Sequence, residues 1–368
     1  MLSKQRLLDQ FLELVRIDSP SMEEAPMAQW LLNYFKTKGI EATIDDAGQK
    51  YGGNSGNIVA HIKGISGSTP ICFAAHMDQI SPCKGVNPIV EGNIVKTDGT
   101  TTLGGDDKGG IAAILEAVAD VMEEQEQHRD LYLLFTVSEE NGMLGAKNFD
   151  SKRLPCKEIV LMDAGGSTGV IAYKAPAMES IHCTFYGKKA HAGIEPEKGI
   201  NAICAVSDAI SQMHIGRIDA TTTSNIGRIE GGAATNIVTD EVYFTAEVRA
   251  HDPKKLQSEL DHMEDCCTKT AKKWNTTCNF THQNAYPSFE ISTDHPLFIR
   301  AKEATQKVGI TPNPMVIGGG SDANILAGLG YQSVILSLGM HSVHTVNEYL
   351  NVDELFSATQ IIREMMRV

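Results

Sequence analysis

The chain has 368 residues, of which 42% are hydrophobic, and a formal net charge of −14 at pH 7. This surplus of negative charge would repel a phosphate backbone and argues against a nucleic-acid partner. No segment approaches the ~18 consecutive apolar residues of a membrane span, and the length suits two or three domains.

The first residues lead into an amphipathic pattern instead of the long apolar run of a secretory signal, so we expect a cytoplasmic protein. The eight cysteines form no Cys-x-x-Cys pair. Several of them lie in apolar segments, where cysteine packs as a small hydrophobic residue. We therefore expect reduced thiols and no disulfide framework.

The N-terminal part alternates between helical and strand patterns. A first helix with an apolar face over residues 7–15 is expected to start at a capping Ser3, and a second helix is expected to stop near Gly39. The remaining predictions here are strands at 42–44, 57–62 and 71–75, a helix at 109–122, and strands at 131–137 and 159–162. Near-continuous apolar strands of this kind predict an α/β sheet, mostly parallel, that helices cover on both faces.

The middle of the chain has a different character. Two segments of alternating character, 180–185 and 241–250, predict strands with one exposed face. They alternate with helices at 201–213 and from residue 253 to about 274, and a Gly/Thr-rich turn region follows the first of these helices. This order is typical of an α+β domain of the ferredoxin-like kind, which we place at 178–286.

The α/β pattern resumes after this segment. We predict a helix at 295–308, a glycine-rich turn at 318–321, a strand at 333–338 and a last helix after Asp353. The first domain is therefore expected to be discontinuous, with residues 1–177 and 287–368 on either side of an inserted domain.

Three of the apolar strands end in side chains that can bind metal. The first ends in His76, with Asp78 two residues later; the second ends in the pair Glu139-Glu140, and the third in Asp163. Ligands of open α/β sheets bind outside the carboxyl ends of the strands. If these strands are neighbours, their side chains converge on one crevice.

Two further segments offer ligands. Asp106 lies in a glycine-rich stretch that opens the helix at 109–122, and the glycines permit close approach of the backbone. His341 and His344 follow a late apolar strand, and either of them could complete the set. A P-loop is excluded here because its Gly-x-x-x-x-Gly-Lys spacing is absent.

Histidine and carboxylate ligands favour zinc, and catalytic zinc sites leave one position open for water. Two ions ~3.5–4 Å apart need a bridging carboxylate, which Asp106 would suit. Of the adjacent acids Glu139 and Glu140, one would bind metal and the other would take a proton from the metal-activated water. Asp78 would orient His76 by a hydrogen bond.

Each of these residues also has an ordinary interpretation. An acid at a strand end is usually a solvated loop residue or a helix cap, and Glu-Glu pairs are common on surfaces. A His-x-Asp motif alone is weak. The coincidence of all five candidate ligands at strand ends or helix starts favours a metal centre.

In combination, these motifs resemble those of the zinc exopeptidases that include peptidase T, carboxypeptidase G, aminoacylase and succinyl-diaminopimelate desuccinylase. The resemblance covers essentially the whole chain and is nearest to peptidase T, the tripeptide aminopeptidase. The matching motifs are His76-Met77-Asp78, the segment from Asp98 to Gly110, Ser138-Glu139-Glu140, Asp163 and the final histidine motif. Peptidase T typically has a longer stretch between the first two motifs, so the pocket rim is expected to differ.

The resemblance implies roles at the matching positions. His76 and Asp163 would hold one zinc, Glu140 and the last histidine the other, and Asp106 would bridge them with a cis peptide to Asp107. Glu139 would be the general base. The family's last histidine usually precedes an acidic residue by four positions, which favours His344, four before Glu348, over His341. Cobalt or manganese could substitute for zinc.

The resemblance also implies that the inserted domain acts as a lid and forms a homodimer. His191 would reach the partner subunit's active site and stabilise an oxyanion. Asn236 and Arg249 would contact the substrate, and Arg249 could clamp a carboxylate with two hydrogen bonds. Gly319 and Ser321 would line the pocket. The ordinary alternatives are a surface turn for His191 and the glycine-rich segment, and a surface ion pair for Arg249.

The function expected from these observations is removal of one terminal residue from short peptides, most simply by a tripeptide aminopeptidase. An N-acyl-amino-acid amidohydrolase, a dipeptidase or a carboxypeptidase would use the same metals with a different pocket rim. A catalytically inactive metal-binding protein is a further alternative, against which the Glu139-Glu140 pair argues.

Overall fold

The computed structural model describes residues 1–368, and the chain divides into two compact units. The larger unit comprises Met1–Lys174, Glu290–Ile317 and Ser321–Val368, and the smaller unit comprises Ala175–Phe289 and Gly318–Gly320. None of the helices combines the length and apolar character needed to cross a bilayer. All eight cysteines are free.

The strands, in chain order, are β1 (Glu41–Ile44), β2 (Ile58–Ile62), β3 (Ile71–His76), β4 (Ile89–Glu91), β5 (Ile94–Lys96), β6 (Leu131–Thr136), β7 (Glu158–Ala164), β8 (Val170–Ala175), β9 (Ala177–Tyr186), β10 (Gly216–Asp219), β11 (Thr222–Gly231), β12 (Glu241–Ala250), β13 (Thr277–Tyr286), β14 (Phe289–Glu290), β15 (Asn313–Val316), β16 (Gln332–Ser337), β17 (Met340–His341) and β18 (Tyr349–Asn351). The helices are α1 (Lys4–Val15), α2 (Ala25–Lys38), α3 (Gly105–Glu123), α4 (Leu144–Lys147), α5 (Ala202–Ile210), α6 (Pro253–Lys273), α7 (Pro296–Lys307), α8 (Asp322–Gly328) and α9 (Val352–Met366).

The larger unit is built on a mixed sheet. Strands β6, β3, β7 and β16 are neighbours and run parallel, whereas β1, β2 and β8 join antiparallel. The register pairs Ile71 of β3 with Leu131 of β6 and with Glu158 of β7. The three strands predicted to carry ligands are therefore adjacent, and their carboxyl ends share one edge of the sheet.

Helix α3 is the buried centre of this unit. It packs against β3 and β7 on one side and against α1 and α9 on the other, and its residues from Gly105 to Val121 are buried. The predicted ends of the flanking helices are confirmed: the Ser3 side chain accepts a hydrogen bond from the Arg6 amide, and Gly39 ends α2 with φ +69°. A short four-stranded sheet, β17-β18-β5-β4, lies outside the main sheet and was not predicted.

The smaller unit is an antiparallel sheet in the order β10-β11-β12-β9-β13, with α5 and α6 packed against it. Strands β9, β11, β12 and β13 alternate with these two helices in the ferredoxin-like manner that was predicted. Its core is separate and includes Phe185, Phe244 and Met263.

Two sequence predictions in this unit are wrong. The supposed Gly/Thr-rich turn region contains the ten-residue strand β11, in which Thr222 and Ser224 are buried. Threonine favours strands because its β-branched side chain packs well on a pleated sheet, and the glycines hid this signal. The helix expected to reach residue 213 ends at Ile210.

Candidate metal centre

Five of the predicted metal-binding residues lie close together at one edge of the main sheet. His76 is the last residue of β3, Asp163 lies near the end of β7, and Glu140 follows β6. Asp106 is in the first turn of α3, and His344 follows β17. Parallel strands and the start of α3 position four of these side chains, and the segment after β17 of the short sheet brings His344 to them.

Asp106 stands between the two histidines. Its Oδ1 lies 2.9 Å from His76 Nε2, and its Oδ2 lies 3.2 Å from His344 Nε2. His76 Nε2 is also 3.9 Å from Asp163 Oδ1, and His344 Nε2 is 3.0 Å from Glu140 Oε1. Each oxygen of Asp106 thus belongs to a different His–carboxylate group, the arrangement that a bridging carboxylate requires.

His341, the alternative to His344, has different neighbours. Its Nε2 is 3.7 Å from Glu354 Oε2, and its ring stacks on Tyr349 with a centroid separation of 4.9 Å. Of the two histidines, His344 is the one that the structure brings to Asp106 and Glu140. Its backbone is in the left-handed region, with φ +65°.

The donor set fits divalent metal ions. Two groups, His76–Asp106–Glu140 and His76–Asp107–Asp163, each keep their ligand atoms within 4.8 Å of one another. The buried Oε1 of Glu140 makes no hydrogen bond, although His344 Nε2 is nearby. Imidazole nitrogens and carboxylate oxygens are ligands that zinc accepts.

The electrostatics also favour bound cations. Burial, and then neighbouring carboxylates, raise the pKa of Asp163 and of Glu139 well above the usual range. Burial opposes ionisation of Asp106, but hydrogen bonds with His344 and His76 outweigh it and hold its pKa below the usual value. The adjacent carboxylates of Asp106 and Glu140 raise the pKa of His344 to about 10. The crevice is a concentration of buried negative charge that positive charge would relieve.

Asp107 follows Asp106 through a cis peptide bond, as the resemblance implied. Its carboxylate accepts hydrogen bonds from the backbone amides of His76, at 3.3 Å, and Gly110, at 3.2 Å. Asp107 therefore ties the start of α3 to the end of β3 and fixes where Asp106 points.

The Asp78 carboxylate does more than was predicted. His76 Nδ1 lies 3.0 Å from the backbone oxygen of Asp78 and 3.3 Å from its Oδ1. The same carboxylate accepts hydrogen bonds from the backbone amides of Glu139 and Glu140 and from the Ser21 hydroxyl. Asp78 thus positions the Glu139-Glu140 pair as well as His76.

Two supporting glutamates were missed as functional residues. The buried Glu348 carboxylate accepts hydrogen bonds from the backbone amides of Leu103, Gly104 and Asp106, and so holds the loop that presents Asp106. Its spacing from His344 was the available signal. Glu24 accepts from both the amide and the hydroxyl of Ser138, next to Glu139, and no local pattern marked it.

The remaining predicted residues, except Ser321, belong to the smaller unit. His191 and Asn236 lie on adjoining segments, where the amide of Ala192 donates to the Asn236 oxygen at 3.0 Å. Arg249, on β12, forms an ion pair with Glu247 at 2.8 Å. Gly319 lies in the short segment 318–320. Ser321 caps α8 in the larger unit by accepting a hydrogen bond from the Ala323 amide.

Comparison with known proteins agrees with this geometry. The model of Peptidase family M20/M25/M40 matches residues 72–368. A Bacillus subtilis (strain 168) relative, the uncharacterized protein YqjE, is 40% identical over 362 residues, which cover 98% of each chain.

Two solved structures are also similar. Aminopeptidase PepT from Bacillus cereus ATCC 10987 is 36% identical with a TM-score of 0.94, and the match covers 99% of this chain and 98% of that one. A tripeptidase from Staphylococcus aureus subsp. aureus Mu50 is 36% identical with a TM-score of 0.97, and the match covers 100% and 98%.

Proposed function

This chain belongs to peptidase family M20/M25/M40 and is a peptidase T-like metallo-exopeptidase, and within that activity we propose that it is a two-zinc tripeptide aminopeptidase. The observation that carries the proposal is the position of Asp106 between two His–carboxylate groups. The relatives named as an aminopeptidase and a tripeptidase support the choice of substrate.

In this proposal, His76 and Asp163 would hold one ion, Glu140 and His344 would hold the other, and Asp106 would contribute to both. Bound zinc would polarise the scissile carbonyl and make a water molecule more acidic. Cobalt or manganese could take its place, because selectivity depends on metal availability as well as affinity.

Glu139 then acts as the general base. It takes a proton from the attacking water and delivers it to the nitrogen of the leaving amine. Burial raises the pKa of this carboxylate, which favours its taking up a proton. Asp78 supports the step by fixing the Glu139 backbone.

The smaller unit supplies substrate contacts in this proposal. It forms, over residues 178–286, a lid and a homodimer interface through which the exposed His191 reaches the partner subunit's active site and donates a hydrogen bond to the developing oxyanion. Arg249 and Asn236 hold the peptide, Arg249 through its guanidinium group. Gly319 and Ser321 contribute to the pocket wall. The substrates are short peptides of the cytoplasm.

The test is hydrolysis by zinc-loaded protein of a panel of tripeptides, dipeptides, N-acetyl amino acids and C-terminally amidated peptides, read by mass spectrometry. Release of the N-terminal residue from tripeptides alone is the expected result. Cleavage of dipeptides or acylated amino acids instead would keep the metal chemistry and overturn the tripeptide preference. No cleavage of any substrate would overturn the proposed activity.

A further inference from the structure

A second group of side chains that can bind metal lies in the smaller unit and shares no residue with the site described above. Its members are His214, Glu259 and His262, and Cys266 lies beside His262. Glu259, His262 and Cys266 are on α6 at spacings of three and four, so they share one face of the helix. His214 lies between α5 and β10.

The distances among three of the donors suit a shared ion, whereas the Cys266 sulfur is not within 4.8 Å of all of them. Donor atoms of His214, Glu259 and His262 all lie within 4.8 Å of one another, and His214 Nδ1 is 3.1 Å from Glu259 Oε2. Cys266 Sγ is 3.7 Å from His262 Nε2. Tetrahedral zinc, with bonds of about 2.0 Å to nitrogen and about 2.3 Å to sulfur, separates its ligand atoms by roughly 3.3–3.6 Å.

An ion pair between His214 and Glu259 does not by itself account for this arrangement of side chains. The imidazole rings of His214 and His262 stack at a centroid separation of 4.0 Å beside one glutamate. Glu259 is 93% buried, and its Oε1 has no hydrogen-bond partner. A buried carboxylate oxygen without a partner costs free energy, and a shared cation would remove that cost and join both rings to it.

The surroundings allow the small movements that binding needs. The His214 side chain pairs with Glu259 and stacks on His262, but it is 57% exposed and so has room to adjust its position. The segment before it is held to α6, because Gln212 Nε2 donates to Thr270 Oγ1 at 3.1 Å and the Cys266 thiol donates to the Gln212 oxygen at 3.6 Å. The ligands are thus poised on two elements that already contact each other.

We propose that His214, Glu259 and His262 bind a transition-metal ion of the zinc class, and that binding draws in Cys266 as the fourth ligand. Four protein ligands leave no open coordination position, which is typical of a structural site. Binding releases the Cys266 proton to solvent and joins the chain after α5 to helix α6. This ion is additional to those of the catalytic crevice.

The first experiment measures metal content. Full-length protein is stripped with a chelator, reloaded with Zn²⁺, desalted and analysed by elemental mass spectrometry. We expect His262→Gln and His214→Gln each to hold one ion per chain fewer than the wild type, with unchanged peptide hydrolysis. His282→Gln is the matched control, since it removes a histidine that pairs with Glu179 in the same unit without a second histidine ligand.

Equal metal content in the wild type and in folded His262→Gln protein would overturn the proposal. A loss that His282→Gln reproduces would also overturn it, because the difference would then be unspecific. Circular dichroism of the metal-free proteins establishes that the variants are folded.

The second experiment assigns the sulfur ligand. Co²⁺-loaded wild-type protein is expected to show a thiolate-to-cobalt charge-transfer band that Cys266→Ser removes while Cys204→Ser, at an exposed cysteine, retains it. Persistence of the band in Cys266→Ser, or its absence from the wild type, would overturn the assignment of Cys266.

Discussion

Oδ1 of Asp78 accepts a 2.9 Å hydrogen bond from the backbone amide of Glu139, and Oδ2 accepts one of 3.1 Å from Glu140. These bonds connect the end of β3 with the turn after β6, where Ser138 has a positive φ of +53°. A strained backbone persists only when its surroundings hold it. Asp78 therefore couples the position of His76 to that of the proposed base.

Replacing Asp78 with alanine tests this coupling. The variant loses both backbone contacts, so we expect kcat to fall about 10–100-fold, the usual range for residues that orient metal ligands. Steady-state hydrolysis of a tripeptide and metal analysis measure the effect. Asp294→Ala, at an exposed aspartate, is the control. Wild-type kcat in Asp78→Ala would contradict a positioning role.

Substitutions of the adjacent acids Glu139 and Glu140 should have different effects on turnover and on metal binding. Glu139→Gln removes the proposed base but no proposed ligand, so turnover should fall about 100–10,000-fold while both ions remain. Glu140→Gln should instead weaken metal binding. Parallel assays of activity and metal content distinguish the two, and retained turnover in Glu139→Gln would show that another group takes the proton.

Much of this architecture follows from local patterns. Apolar runs predicted the main strands, and the carboxyl ends of neighbouring parallel strands predicted the convergence of His76, Glu140 and Asp163. Strand β11 was not predicted because its glycines are typical of a turn. The burial of Thr222, which is consistent with a strand, is visible only in the structure. The contact of Glu348 with Leu103 was not predicted because it joins positions 245 residues apart. No periodicity encodes such a pairing.

Glu348 offers a test of that long-range contact. Glu348→Ala leaves three backbone amides without their acceptor, and each unsatisfied buried donor costs about 1–3 kcal/mol. We expect a lower free energy of unfolding and weaker metal binding, since the loop bearing Asp106 loosens. Chemical denaturation and metal titration measure both. The control is Glu91→Ala, at an exposed glutamate of β4, and equal effects of the two substitutions would contradict the prediction.

Gly110 tests the packing beneath Asp106. An alanine Cβ there would lie 2.2 Å from Asp107 Oδ1 and 2.7 Å from Met162 Cβ. We expect Gly110→Ala to cost about 1–3 kcal/mol through overpacking, despite the better helix propensity of alanine. At Gly227, on β11, the nearest atom is 3.9 Å away, so Gly227→Ala should be tolerated. Equal melting temperatures for the two variants would contradict this packing argument.

Glu24 gives the stability a defined pH dependence. Burial raises the pKa of its carboxyl above the ordinary value of 4.5. Its Oε1 accepts from Ser138 and Met22, whereas its buried Oε2 has no hydrogen-bond partner. Because the pKa of Glu24 is higher in the folded state, its protonation stabilises the fold. This stabilisation is complete below the unfolded-state pKa and is lost as pH rises through the folded-state pKa.

Glutamine at position 24 keeps the accepting oxygen, loses no hydrogen bond at Oε2 and stays neutral. The melting temperature of Glu24→Gln minus that of the wild type should therefore increase as pH is raised from about 4 to about 8. Groups that titrate identically in both proteins cancel in this difference. Glu41→Gln, at an exposed position, reports the effect of removing one negative charge from the surface. A difference that stays constant or decreases with pH would contradict the burial cost assigned to the ionised Glu24 carboxylate.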